Sequence, residues 1–434
     1  MTTPPRTLCS HLPAAAPGTT VTLEGWVHRR RELARITFVV VRDRSGLAQV
    51  VLPAGTAVPP EETTVRVTGT ATANEQASGG VEVSDALLEP LTEPAETPPA
   101  ELWRPSLDVS LPTLLDHAPV LWRHPAQRAR WQLAAASLRG FRSTLDALGF
   151  TEVTTPKVVG TATESGANVF PVEWFGRPAY LAQSPQFYKQ QLVGVFERVY
   201  EVGPVFRAEP HDTVRHLAEY RSLDVELGFI RDHREVLAVL REVLAGMVEA
   251  AASEEAAVAS TGASLPVVPD EVPVIHFADA LALVGAPADE PDLAPEHERA
   301  LGAWALAEHG SDFLAVEGYP MAKRPFYTHA WSRDDAGAPP RPTEPSNSFD
   351  LLFRGLELVT GGQRLHRASD YERAIRARGE DPASYEAYLQ AFRHGMPPHG
   401  GFAIGLERWV GRLVRAANIR EVTLFPRDLN RLSP

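Results

Sequence analysis

Two segments almost two hundred residues apart carry residue types that suit a flat, negatively charged ligand. The first runs from Phe206 to Glu219 and contains Arg207; the second, Gly401–Arg408, reads Gly-Phe-Ala-Ile-Gly-Leu-Glu-Arg. A guanidinium group binds phosphate through two parallel hydrogen bonds and also stacks on flat rings. Two arginines from distant segments can therefore hold a bent ATP. One of them contacts the α-phosphate, and the other stacks on the adenine or holds the γ-phosphate.

A third segment lies upstream and ends in proline. It reads Gly-Phe-Thr-Glu-Val-Thr-Thr-Pro from Gly149 to Pro156. In this order the three segments resemble the three signature motifs of class II aminoacyl-tRNA synthetases. The chain contains neither the Gly-x-x-x-x-Gly-Lys motif of a P-loop nor a Rossmann fingerprint, so we expect nucleotide binding to depend on a β-sheet.

The composition favours two globular domains. With 434 residues the chain is too long for one ordinary core, and 44% of its residues are hydrophobic while 22% are charged. Its single cysteine, Cys9, excludes an internal disulfide framework and a thiolate metal cluster. Neither a signal-peptide pattern nor a run of about 18 apolar residues is present, so we expect a cytoplasmic protein without a membrane segment.

The charge is unevenly distributed along the chain. The formal net charge is −13, and the window Arg241–Pro320 alone accounts for −13. Residues 1–52 carry +4, including the run Arg29–Arg31, and residues 401–434 carry +3. Basic ends around an acidic middle permit a localised track for nucleic-acid phosphates. An ordinary solvated surface explains the same pattern equally well.

Residues 1–105 predict a small closed barrel. From Thr20 to Pro53 β-branched and apolar residues alternate in short runs separated by turn residues. Another pair of runs, Thr64–Thr70 and Val81–Val83, is joined across Asn74–Gly80. Five short strands in about ninety residues are typical of an OB-fold.

The first strand of this barrel has a candidate RNA-binding face. Trp26, His28 and Arg30 are even-numbered, so we expect them on one side of the strand. An aromatic ring, an imidazole and a guanidinium suit stacking and pairing with unstacked bases. An exposed strand with some hydrophobic cover is the plainer alternative. The predicted anticodon-binding residues are Trp26, His28 and Arg30, with Ala77 and Ser78 from the loop Asn74–Gly80.

The remainder predicts a linker and a larger α+β domain. Eight prolines between Pro90 and Pro125 suit a semi-rigid connector, placed at residues 106–125. Residues 126–434 are expected to form a class II catalytic domain on an antiparallel β-sheet flanked by helices. Its predicted helices are Gln127–Leu148, Arg234–Ala252 and Glu298–Glu308, and its strand-like runs are Arg198–Phe206, Ser222–Ile230 and Phe349–Thr360.

Within class II the chain resembles aspartyl-tRNA synthetases of the compact archaeal and eukaryotic type. Four segments carry this resemblance: Ala162–Phe170, Ser184–Gln190, Phe349–Glu357 and Gly361–His366. It implies ATP and L-aspartate as substrates and Mg²⁺ as the cofactor. It also implies catalysis by positioning and electrostatic stabilisation, because the attacking carboxylate is already ionised.

The resemblance assigns the residues of the nucleotide end. Arg207 and Arg408 are the implied catalytic pair: Arg207 contacts the α-phosphate and the amino-acid carboxylate, and Arg408 encloses the adenine with Tyr220. Hard oxygen ligands suit Mg²⁺, and the implied ligands are Glu357 and Thr360 with Asp350 close by. The complete implied ATP site is Arg207, Glu209, Arg215, His216, Leu217, Tyr220, Glu357, Gly405, Leu406, Glu407 and Arg408.

A second group of residues is implied to select the amino acid. Lys189 and Arg364 resemble the clamp on the side-chain carboxylate of aspartate. Two cations facing one short anion discriminate against the amide, which would leave them unpaired. The implied partners of the substrate ammonium are Glu164, Gln186 and Asp224, and Arg207 and Thr360 complete the implied aspartate site.

The resemblance also implies partners. Enzymes of this kind form homodimers through the first motif, which is here the helix before Gly149 and the strand that ends at Pro156. The implied RNA substrates are tRNA-Asp and also tRNA-Asn. In this family a histidine at the position of His28 accompanies relaxed anticodon reading, whereas glutamine accompanies strict reading.

Three other functions remain open at this point. The same fold activates asparagine in related enzymes, although these lack a lysine at the position of Lys189. A catalytically inactive RNA-binding paralogue is expected to have lost Arg207, Glu357 or Arg408, and all three are present. An asparagine synthetase that acts without tRNA lacks the barrel that residues 1–105 predict.

Overall fold

The computed structural model describes residues 5–160, 168–210, 212–331 and 343–434. The chain divides into two compact units, residues 1–127 and 128–434. Residues 106–125, predicted as a linker, fall within the first unit and contain two short helices, α1 (Leu111–Asp116) and α2 (Ala118–Leu121). Across the described ranges, every helix is too short or too polar to cross a bilayer.

The first unit contains the five-stranded barrel that the sequence predicted. Its strands are β1 (Thr20–Glu32), β2 (Ile36–Arg42), β3 (Leu47–Pro53), β4 (Thr64–Ala73) and β5 (Val81–Pro90). They close in the order β1-β2-β3-β5-β4. Val39 and Val41 of β2, like Val65 and Val67 of β4, are fully buried, because alternate side chains point into the barrel. The OB-fold expectation is confirmed.

The first strand departs from simple alternation at His28. In the pairing of β1 with β2, Val27 lies opposite Val41 and Arg29 lies opposite Val40. His28 is therefore the extra residue of a β-bulge, which locally shifts the faces of a strand. As a result His28 is buried while Arg29 and Arg30 are both exposed. Trp26, His28 and Arg30, which were expected on one face, therefore differ in exposure, although the Arg42 guanidinium lies 3.0 Å from His28 and 5.7 Å from the centre of the Trp26 ring.

The second unit contains a large antiparallel sheet with helices around it, as predicted for an α+β domain. The strands are β6 (Thr151–Glu152), β7 (Val158–Val159), β8 (Pro171–Trp174), β9 (Arg177–Leu181), β10 (Arg198–Phe206), β11 (Glu219–Gly228), β12 (Val274–His276), β13 (Phe313–Glu317), β14 (Ser348–Phe353), β15 (Glu357–Gln363) and β16 (His399–Gly405). The helices are α3 (Pro125–Ala147), α4 (Gln186–Phe196), α5 (His233–Ala252), α6 (Glu255–Thr261), α7 (Phe277–Val284), α8 (Pro295–His309), α9 (Ala368–Ala377), α10 (Glu386–Phe392) and α11 (Leu406–Leu413).

Eight of the described strands form the main sheet. Their order is β12-β13-β14-β15-β16-β11-β10-β6, and all neighbours are antiparallel except β12 with β13 and β10 with β6. The predicted run Phe349–Thr360 is two strands rather than one. A turn separates them, in which Arg354 and Gly355 have φ angles of 51° and 68°. A positive φ is unusual for a residue other than glycine, such as Arg354, and it ends the extended strand.

The core lies on one face of this sheet. Asp232 begins α5 by accepting a hydrogen bond from the backbone amide of Arg234 at 2.9 Å, and the helix then packs an apolar stripe against the strands. In β11, Leu223, Val225 and Leu227 belong to this core. Their neighbours Ser222, Asp224 and Glu226 must therefore point to the opposite face. That alternation gives the sheet a polar face.

Candidate active site

The polar face of the sheet carries a cavity of about 370 Å³. Its walls come from β11, β15 and β16, from the β10–β11 loop (residues 207–218) and from the start of α4. The structure brings most of the sequence-predicted residues together here. The predicted nucleotide residues that line it are Arg207, Glu209, Arg215, His216, Leu217, Tyr220, Glu357, Gly405, Glu407 and Arg408, and the predicted amino-acid residues are Gln186, Asp224, Thr360 and Arg364.

Beneath one end of the cavity lies a chain of buried charges, which we call the floor network: Asp224, Lys189, Glu226 and Arg364. The ammonium of Lys189 is 3.0 Å from Asp224 Oδ1 and 3.3 Å from Glu226 Oε2. Arg364 Nε lies 3.0 Å from Glu226 Oε1. Lys189 is only 1% exposed and Glu226 is fully buried, so charges of opposite sign alternate away from water.

The floor network is held by the backbone as well. Lys189 donates to the carbonyl of Phe402 at 3.2 Å, and Arg364 donates to the carbonyl of Gly401 at 3.0 Å. A Cβ on Gly401 would lie 2.1 Å from Glu226 Oε2, so only glycine leaves room for that carboxylate. Burial alone would raise the pKa of Glu226, but the Arg364 and Lys189 cations outweigh it and hold the pKa below its usual value.

Glu226 was missed by the sequence reasoning. Asp224 and Glu226 are two residues apart and alternate with Leu223, Val225 and Leu227, and this spacing places both carboxylates on one face. This pair of acids was the feature of the sequence from which Glu226 could have been predicted as a site residue. Lys189 is not among the residues that line the cavity, but Asp224, whose Oδ1 lies 3.0 Å from its ammonium, is.

The start of α4 contributes a polar group to the same end. Gln186 is 5% exposed, and its Nε2 donor has no hydrogen-bond partner in the described parts of the chain. Ser222 donates to Asp224 Oδ2 at 2.5 Å, which leaves Asp224 bound on two sides. A buried donor without a partner is costly, and a bound substrate would satisfy it.

The opposite end of the cavity, which we call the mouth, has half-exposed charges at longer separations. It consists of Arg207, Glu209, Arg215, His216, Glu357 and Arg408. Arg207 lies 4.0 Å from Glu209 and 5.7 Å from the ring centre of Tyr220. Arg215 lies 3.5 Å from Glu298 of α8, a residue that the sequence reasoning also missed. Arg408 donates to the carbonyl of Glu357 at 3.0 Å, and its guanidinium is 3.7 Å from the carboxylate.

The predicted contribution of Gly405 to Glu407 is only partly present. Glu407 lines the cavity and accepts hydrogen bonds from the backbone amide of Arg221 at 3.0 and 3.2 Å. Burial raises the pKa of Glu407 to about 7. Leu406 is different, because its side chain is 1% exposed and packs in the hydrophobic core. Leu406 is therefore not a side-chain ligand of the cavity.

The predicted magnesium ligands lie on neighbouring strands. The hydroxyl of Thr360 is 3.3 Å from Glu357 Oε1, whereas Asp350 pairs with Arg324 at 3.0 Å. Burial raises the pKa of Asp350 to about 6, and its Oδ1 has no hydrogen-bond partner within the described residues. Nowhere in those residues do three or more His, Cys, Asp or Glu side chains cluster as a metal site. Two oxygen donors nevertheless fit Mg²⁺, which keeps waters and substrate phosphates as its other ligands.

Two predicted residues cannot be placed. Glu164 lies outside the described residues, and so does the side chain of Ser78.

Arg324 was not predicted at all, although it lines the cavity. It stands in the sequence Lys323-Arg324-Pro325, which carries no periodic or motif signal.

The predicted anticodon residues lie in the barrel unit, and they differ in exposure. Trp26 is half-buried, and Arg30 is exposed with its Nη1 2.9 Å from the carbonyl of Val58. Ala77 is 6% exposed. His28 is 5% exposed, and its Nδ1 lies 3.0 Å from Arg42 Nη1.

Arg42 in turn forms a buried ion pair in the same barrel. Both of its terminal nitrogens bind the Glu62 carboxylate at 2.8 Å. Burial and the Arg42 cation lower the pKa of His28 to about 4, so the imidazole is neutral near pH 7. Because a guanidinium only donates, Nδ1 of His28 must accept, and its proton resides on Nε2.

Comparison with known proteins decides the family. A family model described as tRNA synthetases class II (D, K and N) matches residues 111–429, most of the chain. The chain belongs to this family. A second model, an OB-fold nucleic acid binding domain, matches residues 21–85. Membership in a class II synthetase family accounts for a cavity on the face of an antiparallel sheet and for ATP-dependent chemistry.

Relatives of this synthetase match over nearly their whole length. A protein of Deinococcus radiodurans named aspartate–tRNA(Asp/Asn) ligase is 44% identical over 100% of both chains. One of Thermus thermophilus with the same name is 44% identical over 96% of this chain and 97% of its own. A crystal structure of asparaginyl-tRNA synthetase from Pyrococcus horikoshii with asparaginyl-adenylate has a TM-score of 0.88 at 29% identity, covering 99% of each chain.

Proposed function

We propose that this protein is an aspartate–tRNA ligase that charges both tRNA-Asp and tRNA-Asn. Aspartyl-tRNA synthesis is the activity in the names of the full-length relatives. The observation that carries the amino-acid choice is the floor network, where Lys189 and Arg364 are two buried cations next to the cavity. A substrate carboxylate that joins two cations is far better accommodated there than a neutral amide.

The first step forms aspartyl-adenylate. The α-carboxylate of aspartate attacks the α-phosphorus of ATP, a new O–P bond forms, and the bond to the β-phosphate breaks so that pyrophosphate leaves. Arg207 is proposed to stabilise the charge that grows on the α-phosphate. When bound, Mg²⁺ supplies positive charge to the phosphates next to Glu357 and Thr360. Tyr220 and Arg408 are proposed to fix the adenine from either side.

The second step transfers aspartate to tRNA. The terminal ribose hydroxyl of the tRNA attacks the carbonyl carbon of the adenylate, an ester forms, and AMP leaves. Residues 1–105 are proposed to bind the anticodon and residues 126–434 to perform the chemistry. We also propose a cytoplasmic location, where tRNA charging takes place.

Activation of asparagine is the second candidate, because the similar structure from Pyrococcus horikoshii is an asparaginyl-tRNA synthetase. ATP–pyrophosphate exchange with aspartate, asparagine and lysine, each tested alone, separates these substrates. We expect exchange with aspartate only. Exchange driven by asparagine at a comparable kcat/KM would replace the proposed substrate.

The breadth of tRNA selection needs its own measurement. The names of both relatives include tRNA-Asn, and this supports relaxed reading. Charging of purified tRNA-Asp and tRNA-Asn by the wild-type enzyme should give kcat/KM values within about a hundredfold of each other, since one base is typically worth about 1–3 kcal/mol. A larger preference for tRNA-Asp would restrict the proposal to tRNA-Asp.

We further propose a homodimer through the first motif. An open groove of about 520 Å³ is lined by Pro156, Leu192 and Val195 together with polar side chains such as Gln191 and His394. Val195 is 68% exposed and its neighbour Phe196 is 45% exposed. Exposed apolar area of this kind is typical of an isologous interface. Light scattering at micromolar concentration should give twice the chain mass of 47.3 kDa, and a fully active monomer would contradict the proposal.

A further inference from the structure

Residues 418–430, which we call the C-terminal segment, form hydrogen bonds to the loop that forms much of the mouth. The β10–β11 loop carries Arg207, Arg215 and His216, which line the cavity. The amide of Ile419 donates to the carbonyl of Val214 at 2.8 Å, and the amide of Ala218 donates to the carbonyl of Arg427 at 2.7 Å. The loop is therefore hydrogen-bonded to the C-terminal segment at two points along its second half.

Between these two points lies Arg420, whose guanidinium reaches three groups that are more distant in the sequence as well as Oδ1 of Asn418, at 3.3 Å. Nη2 is 2.7 Å from Asp212 Oδ1, and Nη1 donates to the carbonyl of Thr213 at 3.1 Å. Nε is 2.5 Å from Asp428 Oδ2. The side chain is only 7% exposed. A rigid planar fork can hold three groups at once, which a lysine ammonium on a flexible stem does less well.

The contacts lead from Arg420 into the mouth. Thr213, whose carbonyl Arg420 binds, has its hydroxyl 2.6 Å from His216 Nδ1. Asp212 is held from a second side, because Asn430 Nδ2 donates to its Oδ2 at 2.7 Å. Ile419, next to Arg420, itself lines the cavity. The C-terminal segment therefore contributes to the wall of the mouth.

We propose that Arg420 is a positioning residue for ATP. It fixes Asp212 and Thr213, so that Arg215 and His216 meet the triphosphate without a further ordering of the loop. Ordering a loop on binding costs affinity, and a loop that is already fixed avoids this cost. The inference rests on the proposed role of the β10–β11 loop in ATP binding. It concerns affinity for ATP and not for aspartate, because Arg420 contacts the loop at Asp212 and Thr213, whereas the floor network lies on other elements and Arg207 stands at the start of the loop.

Arg420→Met and Arg420→Lys test the proposal, with Arg376→Met as the matched control. Arg376 is an arginine in a surface pair, 61% exposed and 3.2 Å from Glu372. In ATP–pyrophosphate exchange we expect Arg420→Met to raise the KM for ATP about tenfold, a change worth about 1.4 kcal/mol. Arg420→Lys should lie between Arg420→Met and the wild type. The KM for aspartate should stay within about twofold in all variants.

Hydrogen exchange of the amides of residues 212–218 gives a readout that does not depend on activity. Arg420→Met should speed their exchange, while the amides of β11 keep their protection. Faster loop exchange or a lower melting temperature with an unchanged KM for ATP would make Arg420 purely structural and overturn the proposal. An equal rise in both KM values would also overturn it.

Two further measurements distinguish a failure of this proposal from a variant that does not fold and from a failure of the proposed function. If Arg420→Met does not fold, Asp212→Asn removes the charge of the 47% exposed partner and should raise the KM for ATP in the same direction by a smaller factor. If the wild type shows no exchange with aspartate, the proposed function fails. Titration calorimetry with a non-hydrolysable ATP analogue then still decides whether Arg420→Met weakens nucleotide binding.

Discussion

The two ends of the cavity hold charged side chains in different ways. In the floor network the ion pairs measure 3.0 to 3.3 Å and every side chain is at most 8% exposed. At the mouth the guanidinium groups of Arg207, Arg215 and Arg408 stand 3.5 to 4.0 Å from carboxylates and are 35%, 29% and 27% exposed. The charges of the floor network are thus paired away from water, whereas those of the mouth are partly exposed to water.

The difference follows from the elements that supply the residues. Asp224 and Glu226 belong to a central strand whose other face is packed in the core, so their positions are fixed by the sheet. Arg207 and Arg215 belong to a loop. The backbone of this loop is hydrogen-bonded to Ile419 and Arg427, so its guanidinium groups differ from the floor charges in their exposure to water and not in the order of the backbone. The comparison therefore predicts different responses to substitution at the two ends.

Replacing the floor lysine should have the largest effect. Lys189→Leu removes the common partner of Asp224 and Glu226, and breaking a buried pair costs about 3–5 kcal/mol. We expect kcat/KM for aspartate to fall about a hundredfold or more in ATP–pyrophosphate exchange, while the KM for ATP hardly changes. The melting temperature should fall as well.

Lys157→Leu is the matched control for that loss of stability. Lys157 is another lysine of the second unit, and it pairs with the buried Glu201 at 2.6 Å. This control should lower the melting temperature without a selective loss of aspartate activation. A Lys189→Leu enzyme that keeps aspartate activation within a fewfold of the wild type would disprove the amino-acid assignment.

Replacing a mouth arginine should have a smaller and different effect. Arg408→Ala removes a guanidinium proposed to stack on adenine, an interaction worth about 0.5–2 kcal/mol. We expect the KM for ATP to rise about tenfold and the KM for aspartate to change little. Because exposed pairs contribute only about 0–1 kcal/mol to stability, thermal unfolding should barely shift. A melting-temperature loss as large as that of Lys189→Leu would remove the distinction between floor and mouth.

Local patterns in the sequence predicted the elements well. The strand Arg198–Phe206 was predicted to the residue, because period-2 alternation and flanking breaks define it. Helix α5 was predicted within one residue of its observed bounds. The run Phe349–Thr360 was predicted as one strand, although it contains Gly355, and a turn with positive φ at Arg354 and Gly355 divides it.

The site itself was less accessible to sequence reasoning. The sequence and the family resemblance named most of the cavity-lining residues, but they did not indicate which charges pair. Lys189 meets Glu226 only because α4 packs across β11, and that contact depends on tertiary structure. The buried state of His28 has a similar origin, because a bulge cannot be detected from alternation alone.

The barrel holds charged side chains in a third way. The buried ion pair of Arg42 and Glu62 lies next to a titratable group, the imidazole of His28. The pKa of His28 is lowered from 6.5 to about 4 by burial and by Arg42. Because the pKa of His28 is lower in the folded than in the unfolded state, its contribution to the free energy of unfolding is complete above about pH 6.5. That contribution is lost as the pH falls toward 4. Between pH 7 and 6 the loss should be about 0.7 kcal/mol by linkage. Denaturant unfolding at both pH values should show a larger loss in the wild type than in His28→Gln, because burial also lowers the pKa of His399 to about 4 and that histidine titrates in both proteins.

The smallest effect is expected on tRNA choice. Arg42 obliges His28 to accept at Nδ1, so only an Nε2–H donor remains for RNA. Glutamine can present its carbonyl oxygen to Arg42 and keep N–H donors in place of Nε2–H, but its amide can also turn and accept. We therefore expect His28→Gln to raise the kcat/KM ratio of tRNA-Asp over tRNA-Asn only severalfold, near the low end of the roughly 1–3 kcal/mol typical of one base. Aspartate activation should be unchanged. An unaltered ratio, or a shift toward tRNA-Asn, would show that other residues of the barrel set the breadth of reading.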